Sequence, residues 1–185
     1  PALFDYKMTT AFGKQSGVNA GVLKKGAASQ IADYVNSNSK IRVSVEEALV
    51  ISSIETGNSF APSAKNPDSS AHGVFQVIDS TWQQHQGKSR NSTKEQIRVG
   101  VASIAATKKS LSKALGRDLQ THELYMGHML GAGGAKAVLK ADPMAKLIDI
   151  VRSYDAKNAD AIVNNNGMKG LTVKEAIAKW QNKTD

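Results

Sequence analysis

The residue best suited to acid–base chemistry is Glu55, which ends the apolar sequence Val45–Glu55 and precedes a stretch rich in Gly, Pro, Asn and Ser. A carboxyl group between an apolar helix and a polar loop is partly desolvated, and desolvation favours its neutral, protonated form. A carboxylic acid that keeps its proton near neutral pH is what glycosidic bond cleavage requires. The alternative is a solvated glutamate at a helix C-terminus, where its charge opposes the helix dipole.

Local signals predict the elements that position Glu55. Ser44 and Glu47 have the spacing of a capping box, and Thr56-Gly57-Asn58 is a typical helix stop, so we expect a largely buried helix over 45–55. Residues 57–80 then form a long irregular region, a kind of segment that is usually functional or mobile. Within it, residues 74–78 are apolar and predict a short strand. Asp79 or Ser80 then opens a short helix.

The remaining chain reads as mainly helical. Residues 1–26 are predicted to be an arm or linker, and residues 27–185 a single catalytic domain. Helices are predicted over 27–38, from a second capping box at 92–95 to about 115, over 121–130, from 135, from an Asp142-Pro143 start, and behind a third capping box at 172–175. The predicted fold class is therefore mainly α, with one small β or irregular insertion.

Composition excludes several kinds of chemistry. The 185 residues include no cysteine, so disulfides, thiol nucleophiles and cysteine-bound metals are excluded. The four histidines lack the spacing of a metal site, and we expect neither a metal nor a cofactor. A net charge of +8 predicts attraction to a polyanion such as an anionic envelope. Nucleic acid is not expected, because no basic tract with interleaved aromatic residues is present, and no apolar run is long enough for a transmembrane segment.

Two separate motifs carry a resemblance to a known family. Glu55-Thr56-Gly57 is followed by residues 73–77, Gly-Val-Phe-Gln-Val, and then by residues 80–82, Ser-Thr-Trp. In order and spacing, residues 45–82 resemble the leading motifs of lytic transglycosylases of the soluble-lytic-transglycosylase type. The resemblance implies a lysozyme-like fold, in which the insertion lines a saccharide cleft and Glu55 is the catalytic acid. It also implies that Gln76 lies in that cleft and binds an acetamido group; the alternative is a structural amide.

A third motif departs from the family pattern. Residues 127–133 read Gly-His-Met-Leu-Gly-Ala-Gly, where the family usually has Ala-Tyr-Asn-Ala-Gly-x-Gly. The sequence is similar to phage muralytic enzymes, including giant-phage endolysins, in which Leu-Tyr-x-x-His precedes the glycines. Tyr125 and His128 match that variant, and a spacing of three places them on one side of a helix. We expect one or both to bind substrate near Glu55.

The resemblance implies cleavage of the β-1,4 bond between N-acetylmuramic acid and N-acetylglucosamine in peptidoglycan, without water and with 1,6-anhydromuramoyl ends. One alternative is a hydrolysing lysozyme, whose second carboxylate would be Asp68 or Asp79, although these residues are more typical of a turn and a helix cap. Another is an inactive wall-binding or structural virion domain. Ser70, or its neighbour Ser69, either lines the cleft or is a turn hydroxyl.

The implied partners are peptidoglycan strands and the anionic cell envelope. The expected place of action is the bacterial cell wall or periplasm, and the expected origin is a phage virion component or an endolysin. Because the chain begins at Pro1 rather than at a methionine, we also expect it to be a piece of a larger phage protein.

Overall fold

The computed structural model describes residues 26–185 and contains eight helices in that range. β contacts within it are limited to three isolated bridges, so the prediction of a mainly helical fold is confirmed. The arm predicted for residues 1–26 lies outside the described residues, apart from Gly26. The helices are α1 (Ala27–Ser37), α2 (Val45–Glu55), α3 (Asp79–Gln84), α4 (Thr93–Leu115), α5 (Thr121–Lys140), α6 (Leu147–Tyr154), α7 (Ala159–Asn165) and α8 (Val173–Thr184).

The described chain divides into two compact units. The first runs to Ala106 and includes the last two residues, and the second spans residues 107–183. The catalytic domain predicted for residues 27–185 spans both units. None of the helices within residues 26–185 has the length and apolar character needed to cross a membrane.

In the first unit, α1 packs against α2, and most of α2 is buried. The predicted capping box starts α2: the Ser44 hydroxyl accepts from the amide of Glu47 at 3.0 Å, and the Ser44 amide donates to the Glu47 carboxylate at 2.9 Å. Because α2 is apolar on nearly all sides, it forms the centre of this unit, with Ala48 and Ile51 fully buried. The bounds predicted for this helix are confirmed.

The strand predicted over residues 74–78 is wrong. Residues 73–76 form a turn closed by a bridge in which the His72 amide donates to the Val77 carbonyl at 3.3 Å. Val74 and Phe75 are buried from this turn, and a short apolar run does not distinguish a strand from a buried turn. Phe75 packs closely against α4, where an added Cβ at Gly100 would lie 2.3 Å from its ring.

The second capping box forms only in part. The Ser92 hydroxyl accepts from the amide of Glu95 at 3.2 Å, as predicted. The Glu95 carboxylate instead accepts from the amide of Lys88 at 3.0 Å and pairs with Arg98 at 2.8 Å. Arg98, one turn along the helix, competes with the helix N-terminus for the Glu95 carboxylate. Through the Lys88 amide, the same carboxylate holds the segment before α4.

In the second unit, α5 is one element interrupted at Gly131, which has φ 78° and ψ 160°. The two helices predicted here, over 121–130 and from 135, are confirmed, except that the break is confined to Gly131. The helix start predicted at Asp142-Pro143 is wrong. The Asp142 carboxylate accepts from the amide of Met144 at 2.9 Å, which makes a turn, and α6 begins only at Leu147. The predicted box at Thr172 is confirmed, with Glu175 as its partner.

Candidate functional site

Glu55 is the last residue of α2 and is half-buried. The helix ends there in a Schellman motif: the amide of Asn58 donates to the carbonyl of Ser53 at 2.7 Å, and Gly57 adopts φ 58°. The Thr56 hydroxyl donates to the Ser52 carbonyl at 2.7 Å and accepts from the amide of Phe60 at 2.8 Å. The backbone on both sides of Glu55 is therefore fixed by hydrogen bonds, which is what a positioned acid requires.

The two sequence motifs meet in space within the first unit. The Ser52 hydroxyl, fully buried one turn before Glu55, donates to the carbonyl of Val74 at 2.6 Å. Val74 lies two residues before Gln76 in the turn over 73–76. This buried hydrogen bond joins residues 22 apart in sequence and fixes the end of α2 against that turn.

Gln76 is held in an unusual backbone conformation, with φ 51°. Its side-chain amide nitrogen donates to the carbonyls of Ala64 (2.9 Å) and Gly73 (2.8 Å), so the amide orientation is set. The side-chain nitrogen of Gln76 therefore has the structural role that was the alternative interpretation of this residue. Its carbonyl oxygen accepts no hydrogen bond from the described part of the chain, which leaves an acceptor of fixed direction.

Two residues that the sequence did not single out hold the surrounding loop. Gln96, 3% exposed in the first turn of α4, accepts from the amide of Val74 at 3.1 Å. Its nitrogen donates to the carbonyls of Pro62 (3.0 Å) and Arg90 (2.7 Å). Gly73 is required beside it, because an added Cβ would lie 2.5 Å from the Gln96 side chain. The only signal in the sequence for this role of Gln96 was its position. It is a polar residue on the buried face of a helix, directly after the capping box over 92–95.

Arg90 is the second of these residues. Its guanidinium donates to the carbonyls of Ser70 (3.0 Å) and Val77 (2.6 Å), which flank the turn over 73–76. It also pairs with Asp79 at 2.9 Å and lies over the Trp82 ring, 4.8 Å from the centroid. One cation thus fixes both ends of the segment that carries Gln76.

The polar side chains of the loop mostly serve the backbone. The Ser70 hydroxyl accepts from the amide of Asp79 at 2.9 Å, and the Ser69 hydroxyl accepts from the amide of Ala71 at 3.0 Å. Asp79 is the first residue of α3, and its carboxylate pairs with Arg90 rather than capping the helix. Asp68 is exposed and lies in a turn closed by Asn66, whose side chain accepts from the Asp68 amide at 2.9 Å.

His72 adds an electrostatic feature to the loop. It is half-buried, and its backbone bridges both Lys65 and Val77. Burial lowers the pKa of His72, and the nearby positive charges of Arg90 and Lys65 lower it further. The sequence indicated no role for His72. In the structure it is the residue that the two bridges of the loop share.

The other two predicted site residues lie on α5 in the second unit. Tyr125 is 3% exposed and His128 is half-buried, one turn apart. The start of α5 is fixed by Glu123, whose carboxylate accepts from the amide of Gln120 at 2.9 Å and pairs with Arg117 at 2.7 Å. The Arg117 hydrogen bond lowers the pKa of Glu123. The site residues therefore divide between the units: Glu55, Ser70 and Gln76 belong to the first, Tyr125 and His128 to the second.

Among residues 26–185, no group of three metal-ligating side chains is close enough to hold an ion. No protein-family model matches this chain, and no curated protein matches it either. Membership of the lytic transglycosylases therefore stays a prediction from the motifs in residues 45–82 and 124–133.

Proposed function

We propose that this chain cleaves the β-1,4 bond between N-acetylmuramic acid and N-acetylglucosamine in peptidoglycan, with Glu55 as the acid and base of a non-hydrolytic reaction. The observation that carries the proposal is the buried hydrogen bond from Ser52 to Val74. It fixes the helix end that presents Glu55 against the turn that presents Gln76. Two motifs that resemble a lytic transglycosylase in sequence are thereby neighbours in the folded unit.

The reaction needs one carboxyl group. Glu55 donates its proton to the glycosidic oxygen as the bond from that oxygen to C1 of the muramoyl residue breaks. The 2-acetamido group of the substrate stabilises the positive charge that develops at C1, a substrate-assisted route that dispenses with a second carboxylate. The muramoyl 6-hydroxyl then attacks C1 and gives its proton to Glu55. The acid is regenerated, and no water is consumed.

Gln76 gives the substrate a fixed contact in this proposal. Its nitrogen is committed to two backbone carbonyls, so its oxygen is the atom that receives a donor. The N–H of an acetamido group is such a donor. Because the amide cannot flip without losing two hydrogen bonds, the contact favours sugars that present a hydrogen-bond donor at that position over those with only an acceptor there.

The alternative of a hydrolysing lysozyme is weaker because of the carboxylates it would need. Asp79 is paired with Arg90 at 2.9 Å, and this pair also holds the loop carbonyls. Freeing Asp79 to position a water molecule would break that arrangement. Asp68 lies in an exposed turn. We therefore favour transglycosylation over hydrolysis.

The proposal also includes the fold, origin and place of action that the motifs imply. The fold is lysozyme-like, the chain comes from a phage virion component or an endolysin, and it acts in the bacterial cell wall or periplasm. The net charge of +8 supports attraction to an anionic envelope.

The test is mass spectrometry of fragments released from purified peptidoglycan by the parent chain, by Glu55→Gln and by Glu46→Gln. Glu46 is an exposed glutamate in the first turn of the same helix, so its variant controls for charge on α2. We expect fragments one water lighter than hydrolysis products from the parent and from Glu46→Gln. We expect the rate for Glu55→Gln to fall by at least about a hundredfold, since general acid catalysis contributes that much or more.

Three other outcomes have separate meanings. Reducing-end fragments of full mass would replace transglycosylation by hydrolysis. Equal activity of Glu55→Gln and the parent would remove Glu55 from the mechanism. No fragments from any of the three proteins, with all three folded by circular dichroism, would leave a wall-binding or structural domain.

A further inference from the structure

The first unit contains a surface pocket of about 370 Å³ beside α1 and the start of α4. Its volume lies within the range of small-molecule sites. The residues that carry the argument are Gln30, Asp33, Tyr34 and Asn38 from α1 and its C-cap, with Lys94 and Ile97 from α4. Glu55, Ser70 and Gln76 do not line it.

The sequence of α1 explains why these groups converge. Ile31 and Val35 lie on its buried face. Gln30, Asp33 and Tyr34 are spaced three and four residues apart, so they share a different face. Lys94 and Ile97 are also three apart and lie at the beginning of α4. Two helix faces and the C-cap of α1 thus bring one aromatic ring, the buried Ile97 and five polar side chains, Ser37 included, to one concave surface.

The polar groups of this pocket are uncommitted within the described chain. Asp33 and Lys94 have no ion-pair partner, and the Gln30 side chain has no hydrogen-bond partner, among residues 26–185. The Asn38 nitrogen donates to the Tyr34 carbonyl at 2.7 Å, which orients the amide and leaves its oxygen to accept. Among residues 26–185, the side chains of Gln30, Asp33 and Lys94 and the Asn38 side-chain oxygen are therefore available to a ligand.

The chemistry of the pocket selects the ligand. The half-buried Tyr34 ring supplies apolar surface for the carbon face of a pyranose ring, and the amides and the Asp33 carboxylate suit hydroxyl and acetamido groups. Lys94 is a partner for a carboxylate.

We propose that this pocket binds an acidic amino sugar of the N-acetylmuramic acid type, as a second glycan-binding subsite apart from Glu55. The identity of the sugar rests on the proposed function, whereas the pocket and its binding do not require cleavage. A second point of attachment raises the local concentration of the strand near the enzyme, so its loss raises KM and leaves kcat unchanged.

The test is a titration of isotope-labelled protein with N-acetylmuramic acid, followed by amide chemical shifts, with N-acetylglucosamine as the matched sugar that lacks the carboxylate. We expect shifts over residues 30–38 and 94–97, with millimolar affinity and tighter binding of the acidic sugar. Lys94→Ala weakens N-acetylmuramic acid about three- to fivefold and leaves N-acetylglucosamine unchanged, since an exposed charge pair contributes about that factor. Asp33→Asn weakens both sugars.

Lys40→Ala is the control, because Lys40 is exposed and does not line the pocket. Its variant should bind both sugars like the parent. Shifts confined to residues around Glu55 and Gln76 would overturn the subsite while supporting the proposed function. Shifts over 30–38 with no peptidoglycan cleavage by the parent chain would keep the sugar site and sink the enzyme. Equal effects of Lys40→Ala and Lys94→Ala would show that the sugar is attracted by the overall positive charge of the protein and not by this pocket.

Discussion

Gln96→Glu tests whether the loop around the candidate site is held by one buried amide. The substitution keeps the shape of the side chain and its acceptor for the amide of Val74. It replaces the nitrogen that donates to the carbonyls of Pro62 and Arg90 by an oxygen. The introduced oxygen then faces each of the two carbonyl oxygens at 2.7–3.0 Å unless the new carboxyl group is protonated.

The magnitude follows from what is lost. One buried donor disappears and two carbonyls lose their partner, and each unsatisfied group costs about 1–3 kcal/mol when water cannot reach it. Pro62 and Arg90 are half-buried, so water relieves part of that cost. We expect the free energy of unfolding to fall by about 2–4 kcal/mol at pH 7. The introduced carboxyl group is desolvated, so its pKa is raised in the folded state, and the penalty shrinks as pH falls from 7 towards about 4.3.

The assay is denaturant unfolding of Gln96→Glu and the parent at pH 7 and pH 5, with Gln83→Glu as control. Gln83 is exposed on α3, so the control should lie within about 0.5 kcal/mol of the parent at both values. Peptidoglycan cleavage by Gln96→Glu should fall further than that of the control under folding conditions, because the turn carrying Gln76 loses its support. A destabilisation below about 0.5 kcal/mol, or one that grows on acidification, would refute the reasoning.

Two further predictions concern packing and pH. Gly134→Ala places a Cβ 2.6 Å from the Tyr154 ring and should destabilise the chain by about 1–3 kcal/mol, whereas Gly133→Ala meets nothing within 4 Å and should be neutral or stabilising in thermal unfolding. The hydrogen bond from Arg98 lowers the pKa of Glu95 to about 2, so this carboxylate stabilises the fold above about pH 4.5 and loses that contribution as pH falls towards 2. Glu95→Gln should therefore flatten the dependence of stability on pH in that window, whereas Glu46→Gln should leave it unchanged.

Local signals predicted the helix that carries Glu55 with its correct bounds. Ser44 and Glu47 satisfy each other within one turn, and Gly57 supplies the left-handed residue that ends the helix, so neither end depends on distant contacts. The same reasoning predicted the end of α4 at Gly116, which has φ 69°. Helix ends that are stabilised by neighbouring residues can be predicted from the sequence.

Features that depend on residues distant in the sequence could not be predicted from local patterns. The turn over 73–76 is held by Arg90 and Gln96, which follow Gln76 by 14 and 20 residues, so the apolar run alone suggested a strand. At Asp142, the side chain makes a local turn with Met144 instead of starting a helix. The Asp-Pro pattern suits both outcomes, and the packing of residues 145–147 with 171–173 decides between them.

Gln76 shows why a structural role and a binding role need not exclude each other. Its left-handed backbone carries a strain that a glycine at φ 51° would not have. What a glycine lacks is the amide, whose nitrogen holds the loop and whose oxygen is thereby aimed in one direction. A substrate contact made by that oxygen is preorganised, because the orientation has been fixed before the sugar arrives. Gln76→Gly should accordingly relieve the backbone strain but also lose the two hydrogen bonds, so that the free energy of unfolding changes by less than about 1 kcal/mol while substrate binding weakens.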